Sequence, residues 1–265
     1  MRHLGTDRST GVERYAEPFT APGKEAQLVA NAAKRIGDAL QKRPDWFDYY
    51  VCNHSQRIAL DVAIGDRWLQ RSGAIAEFGS SPLLLTAVMK DMGYDVTGLD
   101  VDPTRFGDAI DALGLRVLAC DIEKPPLPMA DDSFSAVIFN EVFEHLRIDL
   151  VKTFNEIRRV LKPGGHLLLS TPNGRSLSNL YNLLRHDRGL EFPIFDCYSA
   201  LSTVGHMGHV REYTVTDVVE FLRACGFVPT AVIYRGRYST NAKQAMARTF
   251  PRLRPQFSVV AHKPM

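Results

Sequence analysis

Between Ala74 and Ser170 the apolar residues fall in short runs separated by amphipathic stretches, the signature of repeated β-α units around a mainly parallel sheet. The runs 74–78, 95–99, 115–119, 136–140 and 166–170 predict strands. Helical spacing predicts helices over 83–92, 105–113 and 150–161, the last ended by Pro163-Gly164-Gly165. Alternation resumes with a helix over 216–225 and strands over 230–234 and 257–261. Seven strands in a doubly wound α/β sheet are expected.

The flanks read differently. Residues 1–23 carry Gly, Pro and Thr without periodicity and predict a loose or extended leader. Leu28, Val29, Ala32, Ile36 and Leu40 recur at helical spacing, and a second helix is expected over 55–70. Residues 1–72 therefore form an N-terminal leader and helical cap, and 73–265 the main domain. After Pro172-Asn173-Gly174 an insertion of about 175–212 interrupts the alternation, with a helix over 177–184 and a turn Gly205-His206-Met207-Gly208-His209. Insertions of this length inside a compact domain serve as lids or substrate walls.

Composition narrows the classes. The 265 residues, 45% hydrophobic, suffice for a sizeable core. A formal charge of +2, from 32 basic and 30 acidic residues, supplies no global attraction for nucleic acid or acidic membrane. Cys52, Cys120, Cys197 and Cys225 lie far apart, which predicts reduced, mostly buried thiols and not a zinc site or disulfide framework. With neither an apolar leader nor a run long enough to span a bilayer, a cytoplasmic protein is expected.

In doubly wound sheets ligands lie at the carboxyl ends of the strands, so the residues after each strand are read first. Glu77-Phe78-Gly79-Ser80-Ser81 closes the first predicted strand with a small-residue turn. Asp100 ends the second, where a carboxylate suits the two hydroxyls of a ribose, and Asp121-Ile122 follows the third. A dinucleotide site would need a G-x-G-x-x-G turn for close approach of a pyrophosphate, and this turn has one glycine beside an acid. After the fourth strand comes Asn140-Glu141-Val142-Phe143-Glu144-His145. If that segment turns helical, Glu141, Glu144 and His145 share one face at i, i+3 and i+4 and converge, which points to a divalent ion or a general base.

In order and spacing, Glu77–Ser81, Leu99-Asp100-Val101, Cys120-Asp121-Ile122 and Leu161–Leu168 resemble the motifs of the class I S-adenosylmethionine-dependent methyltransferases, over roughly residues 70–235. The resemblance implies a Rossmann-like fold and a methyl donor held by Glu77, Gly79, Ser80, Asp100, Val101, Asp121, Ile122 and Asn140. Glu141-x-x-Glu144-His145 with the later His209-Val210-Arg211-Glu212-Tyr213 resembles two metal-dependent O-methyltransferase subgroups, one acting on small-RNA 3′ ends and one in the ubiquinone pathway. That resemblance implies Glu141, Glu144, His145 and His209 as ligands of magnesium or manganese, with His206 the alternative fourth. In a metal-free reading His145, His206 and His209 are the catalytic histidines.

The insertion supplies the clue to the acceptor. Asn173, Arg175, Ser176, Asn179, Tyr181 and Asn182 offer hydrogen bonds and one stacking ring, a mixture suited to a vicinal diol on a sugar or glycosylated metabolite. Phe192, Phe195 and Tyr198 would suit a catechol, and the cations between Arg235 and Arg254 an RNA end, which the balanced charge disfavours. The single glycine of the first turn keeps a non-catalytic binding module open.

Overall fold

The computed structural model describes residues 1–18, 21, 23–189, 195, 196, 199 and 208–265. In chain order the first elements are β1 (Arg2–Thr6), β2 (Glu13–Ala16), α1 (Gly23–Ala39), α2 (Phe47–Trp68), β3 (Ala74–Phe78), α3 (Leu84–Asp91), β4 (Asp95–Asp100), α4 (Gly107–Leu113) and β5 (Val117–Ala119). Then come β6 (Phe134–Asn140), α5 (Leu150–Val160), β7 (Leu161–Pro172), α6 (Leu177–His186), α7 (Val215–Ala224), β8 (Val228–Arg235), α8 (Asn241–Thr249) and β9 (Gln256–His262). The chain divides into two compact units, and β6 and β7 contribute residues to each.

One unit comprises residues 20–138, 153–167 and 263–265. Its strands run in the order β7-β6-β3-β4-β5. β3 lies parallel to both β4 and β6, with Glu77 opposite Gly98 and Ile75 opposite Ala136, and β5 is parallel to β4. Ile75, Ala76, Phe78, Val137 and Ile138 are buried, as expected where helices cover both faces of a parallel sheet. α1 packs on α2, α3 and α4 through a stripe including Val29, Ala32 and Ile36.

The other unit comprises residues 1–19, 139–152 and 168–262, with strand order β1-β2-β8-β9-β7-β6. β1 pairs antiparallel with β2, β2 parallel with β8, and β8 antiparallel with β9. α7 packs on β8 and β9 and opens with a capping box between Thr214 and Asp217.

Three expectations are corrected. The described residues hold nine strands, not seven, because the leader is not loose: residues 13–16 form a strand paired with β8, and residues 2–6 a strand paired with residues 13–16. The Pro163-Gly164-Gly165 run lies inside β7, where Gly164 N–H donates to Lys263 C=O and Gly165 C=O accepts from Lys263 N–H. α2 starts eight residues before the expected position, at Phe47. Cys120 and Cys225 are buried, Cys52 is exposed, and Cys197 lies outside the described residues. Among the described residues no helix is long and apolar enough to cross a membrane.

Candidate functional site

The turn after β3 is built by backbone chemistry. Gly79 takes φ +71°, a left-handed conformation that strains any side chain. Its N–H and that of Ser80 both donate to the Leu99 carbonyl, at 2.8 and 3.2 Å, folding the turn onto the end of β4. Gly98 permits this, since a Cβ there would lie 2.8 Å from Ser80 Oγ. Asp100 is buried; its Oδ2 accepts from Ser81 N–H and its Oδ1 from Asp102 N–H, each at 3.0 Å. The acid expected to meet a ribose thus also holds the turn, and a carboxylate's four lone-pair sites allow both.

Two hydroxyls beside it, Ser80 Oγ and Ser81 Oγ, are buried and make no hydrogen bond among the described residues. Buried polar atoms of this kind normally have partners, which a polar ligand would supply. Val101 follows with its apolar side chain 59% exposed. Asp121 accepts from Glu123 N–H at 3.1 Å and lies 3.0 Å from Lys124 Nζ, while the Ile122 carbonyl accepts from Thr153 Oγ1. Glu77 departs from the expected role: it is buried and accepts from Thr86 Oγ1, and burial pushes its carboxyl up to about 8.

In the other unit the acids and histidines follow β6. Asn140 ends the strand, half-buried. The expected continuous helix does not form. Glu141 has φ +55°, and only Phe143–His145 makes a short 3-10 turn, so the i, i+3, i+4 face is replaced by a kinked strand end. Glu141 is held by β7 and β9: its N–H donates to Ser170 C=O, its Oε1 accepts from Ser170 Oγ and its Oε2 from Gln256 Nε2, both at 2.8 Å.

Glu144, His145 and His209 do converge, their ligand atoms all lying within 4.8 Å of one another. Glu144 is 1% exposed, and its Oε2 accepts from Thr171 Oγ1 at 2.9 Å. Its Oε1 is buried without a hydrogen bond among the described residues and lies 4.0 Å from both His145 Nε2 and His209 Nε2. Burial, with the nearby Glu141 charge, pushes this carboxyl up to about 8. The Glu144 carbonyl accepts from Val210 N–H at 2.8 Å, which ties the end of the insertion to the box.

His209 faces two ways. Its Nδ1 lies 3.3 Å from Glu212 Oε1, leaving Nε2 for Glu144. Burial drives its pKa down, but Glu212 and Glu144 outweigh this and the net shift is upward. Glu212 is in turn held by Asn179 Nδ2. A histidine oriented by a carboxylate through one nitrogen, with the other nitrogen aimed at a buried acid, is the usual arrangement around a metal ligand. The set fits a cation: 4.0 Å is too long for a hydrogen bond and within the span of two ligands about 2.1 Å from one ion.

The supporting roles of Ser170, Thr171, Glu212 and Gln256 emerge only in the fold. Ser170 and Thr171 stand near the carboxyl end of β7, where strand-end polar residues are a legible signal; Gln256 has none. Of the proposed sugar-binding residues, Asn173 is buried and donates to the carbonyls of Arg252 and Arg254, Ser176 caps α6, and Asn179 holds Glu212. Those three serve the fold. Arg175 and Tyr181 are exposed and Asn182 half-buried. Phe195 is exposed, and His206, Phe192 and Tyr198 lie outside the described residues.

Residues 76–169 match the family model described as a methyltransferase domain. A malonyl-[acyl-carrier protein] O-methyltransferase from Serratia marcescens is 24% identical over 221 residues, 77% of this chain and 86% of that protein. A protein of the same name from Coxiella burnetii is 31% identical over 146 residues, 51% of this chain and 49% of its own. This chain spans about a fifth to a half of the length of most of the curated relatives it matches. The solved structure of the 1,6-didemethyltoxoflavin-N1-methyltransferase of Burkholderia thailandensis, with bound S-adenosylhomocysteine, is 16% identical and aligns over 100% of both chains with a TM-score of 0.56. That likeness is one of fold.

Proposed function

We propose that this chain, which carries a class I S-adenosylmethionine-dependent methyltransferase domain, is an O-methyltransferase whose acceptor hydroxyl belongs to a vicinal diol on a sugar or glycosylated metabolite. The methyl donor is assigned to the turns after β3, β4 and β5, and the acceptor to the acid-histidine box after β6. In the reaction the sulfonium S–C bond breaks as an O–C bond forms, and the acceptor oxygen gives up its proton. The products are S-adenosylhomocysteine, a methyl ether and that proton.

The observation that carries the reading is Glu144 Oε1, a buried acid oxygen without a hydrogen bond among the described residues, 4.0 Å from two imidazole nitrogens. Glu144, His145 and His209 would hold a divalent cation, whose charge stabilises negative charge on an alcohol too weakly acidic to react unaided. Thr171 fixes Glu144 and Glu212 fixes His209, so the donor atoms stay aligned. Glu141, anchored by Ser170 and Gln256, stands outside the converging set, and its charge acts on Glu144. One carboxylate and two imidazoles suit manganese, cobalt or zinc better than magnesium.

A second reading draws on the relatives named for malonyl-[acyl-carrier protein]: the acceptor is the carboxylate of an acyl thioester. A carboxylate is already anionic at neutral pH and needs neither a base nor a cation. A mass-spectrometric screen of sugars, catechols, RNA 3′ ends and acyl thioester acids, with donor and manganese, separates the readings. A methylated sugar that disappears on adding chelator is the expected result. Methylation of an acyl carboxylate alone, undiminished by chelator, would establish the second reading in its place.

A further inference from the structure

Helix α8 presents its apolar side to solvent. Ala242, Ala245, Met246, Thr249 and the following Phe250 recur at the i, i+3, i+4, i+7, i+8 spacing that ordinarily marks a core-facing stripe. All five are exposed, with Met246 at 48% and Phe250 at 50%. Ala247, on the other side, is fully buried, and Gln244 Oε1 accepts from Tyr238 N–H at 2.7 Å. The helix is therefore seated by its smaller, more polar side, and its larger apolar side chains have been left outside.

The segment that carries this face has charge of one sign. Residues 235–254 contain six basic residues and no acid. Arg235 and Arg254 are buried, but Arg237, Arg248 and Arg252 are exposed. Half-buried Lys243 lies over the rings of Tyr181 and Tyr238, at 5.7 and 5.8 Å. The exposed Arg2 of β1 donates to the Arg248 carbonyl at 3.2 Å, bringing a further cation to the same helix.

We propose that α8 is a docking face for an anionic lipid surface, with Met246 and Phe250 entering the interface between headgroups and acyl chains and the flanking arginines meeting the headgroups. Charge complementarity selects this occupant. A second copy of the chain would bring two cationic faces together, and a nucleic acid would meet the cations without covering the Ala-Met-Phe stripe. A bilayer surface takes both features at once. Docking of this kind needs no spanning helix, and it does not depend on the reaction proposed above.

Co-sedimentation of the full chain with vesicles of phosphatidylcholine, with and without phosphatidylglycerol, tests the proposal. The chain is expected to pellet with the anionic vesicles and stay in solution with the neutral ones. Removing one surface cation in Arg252→Gln lowers partitioning about fivefold. Met246→Ser combined with Phe250→Ser lowers it further, and adding salt weakens the arginine contribution more than the apolar one. Both variants change exposed side chains, and an unchanged urea midpoint verifies their fold. Equal pelleting with both vesicle types, no pelleting with either, or pelleting indifferent to both variants would overturn the proposal. So would self-association in sedimentation velocity that Met246→Ser/Phe250→Ser abolishes.

Discussion

Glu77→Gln gives the most quantitative test of the energetics of the β3 turn. Glu77 is buried under α3, and burial raises its carboxyl from 4.5 to about 8, with Asp61 and Asp100 adding to the rise and the Thr86 hydrogen bond opposing it. A carboxyl whose folded pKa is raised contributes its full stability below the unfolded value, near pH 4.5, and loses it progressively as pH climbs towards 8. Integrated from about pH 5 to about pH 8, this linkage destabilises the wild type by about 3 kcal/mol. Glutamine keeps the shape and an acceptor for Thr86 but cannot ionise. The stability of the variant relative to wild type should therefore rise by about 3 kcal/mol across that interval, whatever constant cost the buried amide carries. For a chain of this size that is a relative shift in Tm of roughly 6–12 °C. Urea and thermal unfolding of both proteins at the two pH values measure the double difference, from which other titrating groups cancel. Stability curves that stay parallel from pH 5 to pH 8 would refute the reasoning and place an ionised Glu77 in the folded protein.

Gly98→Ala drives a Cβ to 2.8 Å from Ser80 Oγ, so it should cost about 1–3 kcal/mol in urea unfolding and weaken calorimetric binding of the methyl donor. Thr214→Ala removes the capping box of α7 and should lower stability by about 1 kcal/mol, read from the urea midpoint. Arg159 pairs with Glu156 and Asp131 and donates to the Leu127 and Met129 carbonyls; Arg159→Ala should destabilise by about 1–3 kcal/mol at pH 7. Because Arg159 holds the Glu156 carboxyl below its usual range, part of that gap should close as pH falls through the carboxylate range, which paired melts at neutral and acid pH measure.

The central strands were legible because each is a short apolar run buried on both faces, so Ala74–Phe78 was read to the residue and Phe134–Asn140 to within two. β1 and β2 are not, because Arg2–Thr6 and Glu13–Ala16 are largely polar segments whose strand geometry comes from pairing, β2 along β8 and β1 along β2, a tertiary effect. The acid-histidine box was legible in its residue types but not in its geometry. Helical spacing brought Glu141 to Glu144 and His145 on one face; the left-handed backbone at Glu141 and the pull of Ser170 and Gln256 turned it elsewhere. His209 was found through its motif, whereas its partner Glu212 was passed over, since an acid three residues away acquires meaning only once the histidine's two nitrogens are seen to face different groups. Asn173, Ser176 and Asn179 cap and brace a helix, a role with the same composition as a sugar site, which leaves Arg175 and Tyr181 of that set exposed and Asn182 half-buried.

The cation claim is tested most directly by calorimetric titration of manganese into the full chain, alongside Glu144→Gln and His209→Ala. A single site is expected in the wild type, lost or weakened more than tenfold in both variants while donor binding persists. Saturable manganese binding of equal strength in all three proteins, or none in the wild type, would contradict it.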